Sequence, residues 1–302
     1  MPVETAPSPA QALRAFDDTQ WQDGPSSALE ALVEGGCVLH FPKLAFELLP
    51  HEQGFADPRW SDGRAKNISL RAPGELRGAR GTPEELRQLQ AMIARFALQA
   101  EQLVHRLFPG YRGKLRAGNA SLRPFEIAGR ETSWRKDDTR LHVDAFPSNP
   151  TRGLRLLRVF SNVDPAGRPR QWRIGEPFAD FAASFAPRLR RPLPGAARAL
   201  HLLGLSKALR TPYDEAMLQL HDLVKADLDY QSRAPQARVD FASGSTWVVF
   251  SDQVLHAVMG GQHMMEQTFY LHPDDQLAPD SSPWRVLERL LGRKLGVPSG
   301  RA

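Results

Sequence analysis

Several familiar features are scarce or absent in this sequence of 302 residues. It has one cysteine, Cys37, so neither an intrachain disulfide nor a multi-cysteine zinc site can form. No apolar run approaches the ~18 residues of a membrane span, and the first residues lack the basic and then apolar segments of a signal peptide. We therefore expect a cytoplasmic protein that does not cross a membrane.

Common catalytic motifs are also missing. The sequence has no G-x-S-x-G nucleophile elbow, no G-x-G-x-x-G or P-loop glycine pattern, and no H-E-x-x-H. Cys37 lies in the apolar stretch Gly36–Phe41, a context typical of a buried thiol. These absences argue against serine hydrolases, the usual nucleotide-binding enzymes and zinc proteases.

The positive charge is carried almost entirely by arginine. Seven of the 39 basic residues are lysine, which leaves 32 arginines, and the net charge is +5 with a pI near 9.6. Arginine binds carboxylates and phosphates through two parallel hydrogen bonds. The bias indicates either a genomic codon preference or an anionic partner such as nucleic acid, an acidic glycan or a membrane surface.

The order of predicted elements favours a mainly β protein with helical cover. Residues 1–25, rich in Pro, Ala, Ser and Asp, predict a loose arm. Helices are predicted over 28–33, 82–108, 177–186, 211–230 and 282–295, and strands over 36–41, 154–160, 239–241, 245–250 and 267–271, with a long loop over 61–80. Strict βα alternation is absent, which favours an antiparallel barrel over a parallel sheet.

One short motif carries metal chemistry. In His142-Val143-Asp144, residues i and i+2 of a strand face the same side, so an imidazole and a carboxylate are presented together. With a second histidine they would form the two-His, one-carboxylate facial triad that binds Fe(II) and leaves positions open. The motif alone is weak, because about one H-x-[DE] is expected by chance in a chain of this composition.

The third ligand follows a strand and a tight connection. His256 comes after the predicted strand Ser245–Phe250, which is how many double-stranded β-helix oxygenases place their distal histidine. His263, beyond two glycines, is the competing candidate. A second H-x-D, His272-Pro273-Asp274, has a proline in its middle and no histidine after it.

Three blocks resemble the Kdo hydroxylases, which act on 3-deoxy-D-manno-oct-2-ulosonic acid (Kdo). They are Glu30–Leu48, Leu141–Pro165 and His256–Leu271. The resemblance implies a single double-stranded β-helix (jelly-roll, cupin-like) dioxygenase domain over residues 26–302. It implies His142, Asp144 and His256 as ligands of Fe(II), and 2-oxoglutarate and O₂ as cosubstrates, with ascorbate as reductant in vitro. The implied reaction is hydroxylation of C3 of Kdo in the lipopolysaccharide inner core, on Kdo-lipid A, to give Ko.

The distal carboxylate of 2-oxoglutarate needs a cation. Such a cation often lies about ten residues after the distal histidine, where this chain has Glu266 and Gln267 instead. Arg158, on the strand after Asp144, is the first candidate, and Arg123 is another; alternation places Arg155 on the opposite face. Gln262, Gln267 and Thr268 are candidates for neutral hydrogen bonds to the cosubstrate.

Contacts to the acidic substrate are expected at a basic rim. Trp134-Arg135-Lys136 combines a flat apolar face with two cations, Arg152, Arg168 and Arg170 flank it, and a helical run over 188–191 could face an anionic bilayer. We expect peripheral binding at the cytoplasmic face of the inner membrane. An apolar pocket wall of Val143, Phe146, Leu156, Trp247 and Phe250 is also expected.

Two alternatives share the same residues. One is a 2-oxoglutarate oxygenase with another substrate, such as a nucleic-acid base or a protein side chain. Nucleic acid is not expected, because no basic stripe interleaved with aromatic residues is present. The other is a non-catalytic barrel that binds an anionic glycan, which would not need the three metal ligands together.

Overall fold

The computed structural model describes residues 7–22, 28–71, 74–129, 132–193 and 195–296. Its strands are β1 (Leu13–Ala15), β2 (Val38–Phe41), β3 (Ile68–Arg71), β4 (Glu75–Arg77), β5 (Arg116–Arg123), β6 (Arg155–Asn162), β7 (Arg170–Gly175), β8 (Gln236–Phe241), β9 (Thr246–Phe250), β10 (His256–Gly260) and β11 (Met264–Leu271). Its helices are α1 (Glu30–Glu34), α2 (Pro83–Leu107), α3 (Phe178–Phe185), α4 (Ala196–Leu202), α5 (Pro212–Ala226), α6 (Leu228–Arg233) and α7 (Pro283–Leu291). None of the described helices has the length and apolar character to cross a bilayer.

Two sheets pack face to face. The larger has the order β1-β2-β9-β6-β11-β5-β3-β4, and the smaller has the order β10-β7-β8. His142 extends the smaller sheet through an antiparallel bridge to His256. The central strands β9-β6-β11-β5 and the layer His142-β10-β7-β8 thus form the two halves of a double-stranded β-helix, which confirms the predicted fold class.

Successive side chains of β6 point to opposite faces of the larger sheet, one face packed against helix α2 and the other turned toward the second sheet. Leu157 and Val159 face the long helix α2 and join a large apolar cluster with Leu89 and Phe96. Arg158 and Phe160 face the opposite way, toward the second sheet. Helix α2 therefore covers the back of the larger sheet and leaves its front free to build a site.

The loose arm predicted over residues 1–25 is wrong where the structure describes it. Strand β1 pairs in parallel with β2, and Trp21 is buried with its Nε1 donating to the Ala45 carbonyl at 2.8 Å. A few apolar anchors thus hold this stretch on the sheet although its composition is polar. Residues 1–6 and 23–25 of the predicted arm lie outside the described residues.

Two further element predictions need correction. The predicted loop over 61–80 contains the hairpin β3–β4, which adds to the edge of the larger sheet. The hairpin is polar because one of its faces lines a cavity, where the Ser69 and Ser121 hydroxyls form a hydrogen bond of 2.9 Å. The single helix predicted over 211–230 is two, because Asp227 ends α5 and caps α6. Helices α2 and α3 match their predictions, including the Thr82–Glu85 capping box. Helix α7 begins as predicted but ends at Leu291 instead of near residue 295, because Gly292 adopts the left-handed conformation that ends a helix.

Candidate metal centre and cavity

Three predicted ligands meet at one end of the sandwich. His142, Asp144 and His256 each offer a ligand atom, and these atoms lie within 4.8 Å of one another. The backbones of His142 and His256 exchange two hydrogen bonds of 2.9 Å, and the Asp144 N–H donates to the Ser251 carbonyl at 2.9 Å. The H-x-D segment was expected on a regular strand; it pairs only through this single bridge. Backbone pairing nonetheless brings residues 114 positions apart in sequence into one cluster.

The hydrogen bonds of the two imidazoles leave the correct nitrogens free for a metal. His142 Nδ1 lies 2.7 Å from the Arg140 carbonyl, and His256 Nδ1 lies 2.8 Å from the Val254 carbonyl. A carbonyl oxygen only accepts, so each Nδ1 carries the proton and each Nε2 has a free lone pair. Burial, and secondarily the neighbouring His256, lowers the pKa of His142, and burial also lowers that of His256. Both rings are therefore neutral ligands near neutral pH.

The carboxylate ligand belongs to a buried ionic chain. Arg158 Nη1 lies 3.2 Å from Asp144 Oδ2 and 3.2 Å from Glu266 Oε1, and Glu266 also pairs with Arg123. Burial opposes ionisation of Asp144, but Arg158 and then the two histidines hold its pKa below its usual range. Asp144 is thus an anion, although the site is buried.

A cavity of about 1750 Å³ opens over this centre. Its inner wall is formed by side chains from both sheets: Asn119, Ser121, Arg123, Phe160, Trp172, Val258, Met264 and Thr268, together with Arg158, Arg170 and Glu266. The Trp172 ring stacks on His256, with centroids 4.9 Å apart. The wall is therefore rich in charge, with aromatic faces beside the metal ligands.

Arg170, on β7, is a buried cation of this wall that has no carboxylate in salt-bridge contact within the described structure. Its side chain is buried, its Nη1 donates to the Gly261 carbonyl at 2.6 Å, and its Nε and Nη2 have no hydrogen-bond partner within the described structure. Burial, and then the nearby Arg123, lowers the pKa of Arg170 to about 9. Arg170 was predicted only at the outer rim, because strand β7 was not predicted from the sequence.

Two predicted cosubstrate residues lie elsewhere. Arg155 is buried outside the cavity, where its guanidinium binds Asp252, Gln253 and Gln276 at 2.6–2.7 Å, so it is not available as an anchor. Gln267 faces away from the cavity, and its Nε2 donates to the Gly118 and Thr268 carbonyls. Each is out of phase with the cavity-facing residues of its own strand.

The other candidate glutamine, Gln262, lies outside the cavity, whereas Thr268 lines it. Gln262 binds Arg168 and the Pro124 carbonyl and is not among the cavity residues. Thr268 lines the cavity as expected, as do Arg123 and Arg158.

Of the residues predicted to contact the substrate, some line the cavity and others do not. Arg135 and Lys136 line the cavity, but Trp134 does not, because the Arg135 guanidinium covers its ring at 4.1 Å from the centroid. Arg152 and Arg168 do not line it either, and Arg168 pairs with Asp164 at 2.8 Å. Lys66 and Asp138, paired with each other at the cavity wall, were missed because they come from the segment predicted as a loop and from an irregular stretch.

The apolar wall predicted for the cavity is largely wrong. Phe146 lines the cavity, but Val143 is out of phase with the ligands on either side and packs in a helical core. Trp247 lies behind Phe160 and Trp172, and Phe250 faces the α2 core. Leu156 is also buried outside the cavity.

The competing metal sites do not form. His263 is turned toward Asp164, its Nδ1 3.4 Å from that carboxylate, and lies outside the cavity. His272 caps a short 3₁₀ turn, where its Nδ1 accepts from the Asp274 N–H at 3.2 Å. Neither joins a cluster of three metal-ligating side chains among the described residues.

Comparison with known proteins shows what this chain is similar to. The sequence model of one family, 3-deoxy-D-manno-oct-2-ulosonic acid (Kdo) hydroxylase, matches residues 17–294. The crystal structure of the Kdo hydroxylase KdoO, a non-heme Fe(II) α-ketoglutarate-dependent dioxygenase, in complex with cobalt(II) superposes with a TM-score of 0.93 at 47% identity, covering 97% of this chain and 99% of that one. The structure of KdoO with α-ketoglutarate and Fe(III) gives 0.91 at 46% identity, covering 96% and 99%. No curated protein matches by sequence.

Proposed function

Because this chain belongs to the Kdo hydroxylase family, we propose that it is an Fe(II)- and 2-oxoglutarate-dependent dioxygenase that hydroxylates C3 of Kdo in the lipopolysaccharide inner core, giving Ko. The observation that carries the proposal is the cluster of His142, Asp144 and His256 at the wall of a large basic cavity. A binding protein for an anionic glycan would need the cations but not this cluster.

The donor set fits iron. Two neutral imidazole nitrogens and one carboxylate oxygen would hold Fe(II) on one face, as in other non-heme oxygenases. Bound iron, with O₂ and 2-oxoglutarate as cosubstrates, would supply the oxidising power to hydroxylate a C–H bond while 2-oxoglutarate is converted to succinate and CO₂. The protein itself holds the ligands, positions both organic molecules and limits access of water.

Arg158 has a positioning role in this proposal. It lies 3.2 Å from Asp144 and from Glu266, and both carboxylates are buried. The guanidinium therefore keeps Asp144 ionised and oriented toward the metal position. Since two carboxylates already share its charge, Arg158 has little left to offer the cosubstrate.

We assign the 2-oxoglutarate anchor to Arg170, assisted by Arg123, with Arg158 as the alternative. Arg170 has two unpartnered nitrogens and no carboxylate in salt-bridge contact within the described structure. A buried guanidinium in that state binds a carboxylate strongly, because the anion removes the cost of the isolated charge. The faces of Phe160 and Trp172 lie on neighbouring cavity positions and would flank the methylene groups.

The outer part of the cavity suits an acidic glycolipid. Kdo carries a carboxylate and lipid A carries phosphates, and Arg64, Lys66, Arg135 and Lys136 line this part. We propose that Kdo-lipid A is the substrate and that the enzyme meets it as a peripheral protein at the cytoplasmic face of the inner membrane. We expect no nucleic-acid partner.

Mass spectrometry tests the function. The protein is incubated with Kdo-lipid A, Fe(II), 2-oxoglutarate and ascorbate in air, and we expect a gain of one oxygen on Kdo with one succinate formed per turnover. Fragmentation locates the oxygen at C3. The control is His256→Ala, which removes one ligand and should abolish both products. Iron binding and succinate formation without oxygen on Kdo would point to another substrate, and a failure to bind iron would favour the glycan-binding alternative.

A further inference from the structure

A group of exposed leucines is concentrated in one segment. Ten large apolar side chains are exposed among the described residues, and five of them lie between positions 193 and 209. These five are Leu193, Leu202, Leu203, Leu205 and Leu209. Leu202 and Leu203, at the end of α4, are 85% and 72% exposed, values unusual for leucine on a protein surface. We call these five the leucine patch.

The same segment carries a strong positive charge. From Phe181 to Tyr213 the sequence contains six arginines and lysines and no aspartate or glutamate. The whole chain has a net charge of +5, so the rest of the molecule is close to neutral. Arg190, Arg191, Arg198 and Lys207 are exposed and form no salt bridge with the described residues. The arginine excess is therefore local, and its charge is available to an outside partner.

The segment also borders the cavity. Leu189, Arg190, Lys207 and Arg210 line the same cavity as the metal ligands. The leucine patch lies in the chain between these lining residues, so a surface that binds the patch is next to the cavity opening. Binding there would present the opening to whatever the patch contacts.

We propose that residues 189–193 and 195–210 are a membrane-docking element, with the leucine patch entering the boundary between headgroups and acyl chains of an anionic bilayer. The surrounding cations would contact lipid phosphates, each contributing attraction that salt weakens. The sugar of a substrate anchored in the bilayer could then enter the cavity while its lipid anchor stays in the bilayer. This inference rests on the proposed glycolipid substrate, but docking itself can be measured without substrate.

Self-association through the patch is disfavoured by charge. A twofold dimer interface brings the same surface of both copies together, so the four cations that form no salt bridge with the described residues would face the same four on the partner copy. An anionic lipid surface instead supplies both the apolar layer and the opposite charge that this segment lacks internally. Exposed leucines among basic residues combine the two attractions that bind a segment to a membrane interface, apolar burial and charge.

Vesicle co-sedimentation tests the docking. The full chain is mixed with vesicles of phosphatidylethanolamine and phosphatidylglycerol, at low salt and at about 0.5 M NaCl, where screening is strong. We expect binding at low salt, weaker binding at high salt, and at least a ~tenfold lower partition coefficient for Leu202→Ser/Leu203→Ser/Leu205→Ser. The matched control, Leu49→Ser/Leu98→Ser/Leu277→Ser, removes three leucines exposed elsewhere and should bind like the wild type.

Equal vesicle binding by the patch and control variants would overturn the proposed docking element, as would no binding by the wild type. If the patch variant instead shifts a dimer to a monomer in analytical ultracentrifugation and vesicle binding is absent, the patch is an interface between copies. Vesicle binding needs neither iron nor Kdo. If the wild-type protein binds vesicles but does not hydroxylate Kdo-lipid A, the proposed function is wrong and the docking element is still supported.

Discussion

Replacing Arg170 with methionine should raise the stability of the free protein and nearly abolish 2-oxoglutarate binding. Methionine fills a similar volume without charge, and Arg170 is buried with two nitrogens unpartnered. Removing an uncompensated cation should stabilise the cosubstrate-free protein by about 1–3 kcal/mol. A buried carboxylate that loses its guanidinium costs about 3–5 kcal/mol, or roughly two to four orders of magnitude in 2-oxoglutarate affinity.

Arg158→Met is the matched comparison, because its stability effect should have the opposite sign. This variant leaves Asp144 and Glu266 without the guanidinium that lies 3.2 Å from each. The free protein should therefore lose about 3–5 kcal/mol of stability. Thermal unfolding of the metal-free variants gives the stability change, and anaerobic calorimetry on the metal-loaded proteins gives the affinity for 2-oxoglutarate.

The two measurements together can refute the assignment. If Arg170→Met destabilises the protein and its 2-oxoglutarate affinity stays within about threefold of wild type, Arg170 has a structural role and is not the anchor. If Arg158→Met alone loses affinity while its fold is intact, the anchor is Arg158. The conservative variant Arg170→Lys should recover part of the affinity, since it restores the charge but not the paired hydrogen bonds.

Three more outcomes follow from the site. Asp144→Asn should lower Co(II) affinity by more than about a hundredfold with an unchanged far-UV circular dichroism spectrum, and retained affinity would move the metal elsewhere. Because burial lowers the pKa of His142 and His256, the unfolded chain binds protons below pH 6.5 that the folded protein does not. Stability of the metal-free protein should then fall with decreasing pH by about 1.4 kcal/mol per unit for each histidine, and His256→Gln should reduce this slope in urea titrations. Arg155→Met should cost about 3–5 kcal/mol by leaving Asp252 buried and unpaired, while 2-oxoglutarate affinity in calorimetry stays unchanged.

Local patterns in the sequence indicated candidate metal ligands, but the H-x-D motif alone was weak, and the family resemblance was needed to choose His142, Asp144 and His256. His142 and Asp144 are two positions apart, so any extended backbone presents them together, and His256 follows a recognisable strand and turn. The capped helices α2 and α7 were equally predictable, because caps and apolar periodicity are local signals. The hairpin β3–β4 was not, since a polar edge hairpin has the composition of a loop.

The sequence by itself therefore determined the ligand types, the fold class and the basic character of the protein. Only the tertiary structure decided the role of each arginine. Arg155, Arg158 and Arg170 have the same chemistry, but Arg155 binds Asp252, Arg158 lies beside Asp144 and Glu266, and Arg170 has no carboxylate in salt-bridge contact within the described structure. Such partners can be distant in the sequence: Arg155 and Asp252 are more than 90 positions apart. In the same way, a leucine in a sequence is ordinarily expected to be buried. Only the tertiary structure shows that the leucines of the patch are exposed, among cations that form no salt bridge with the described residues and beside the cavity.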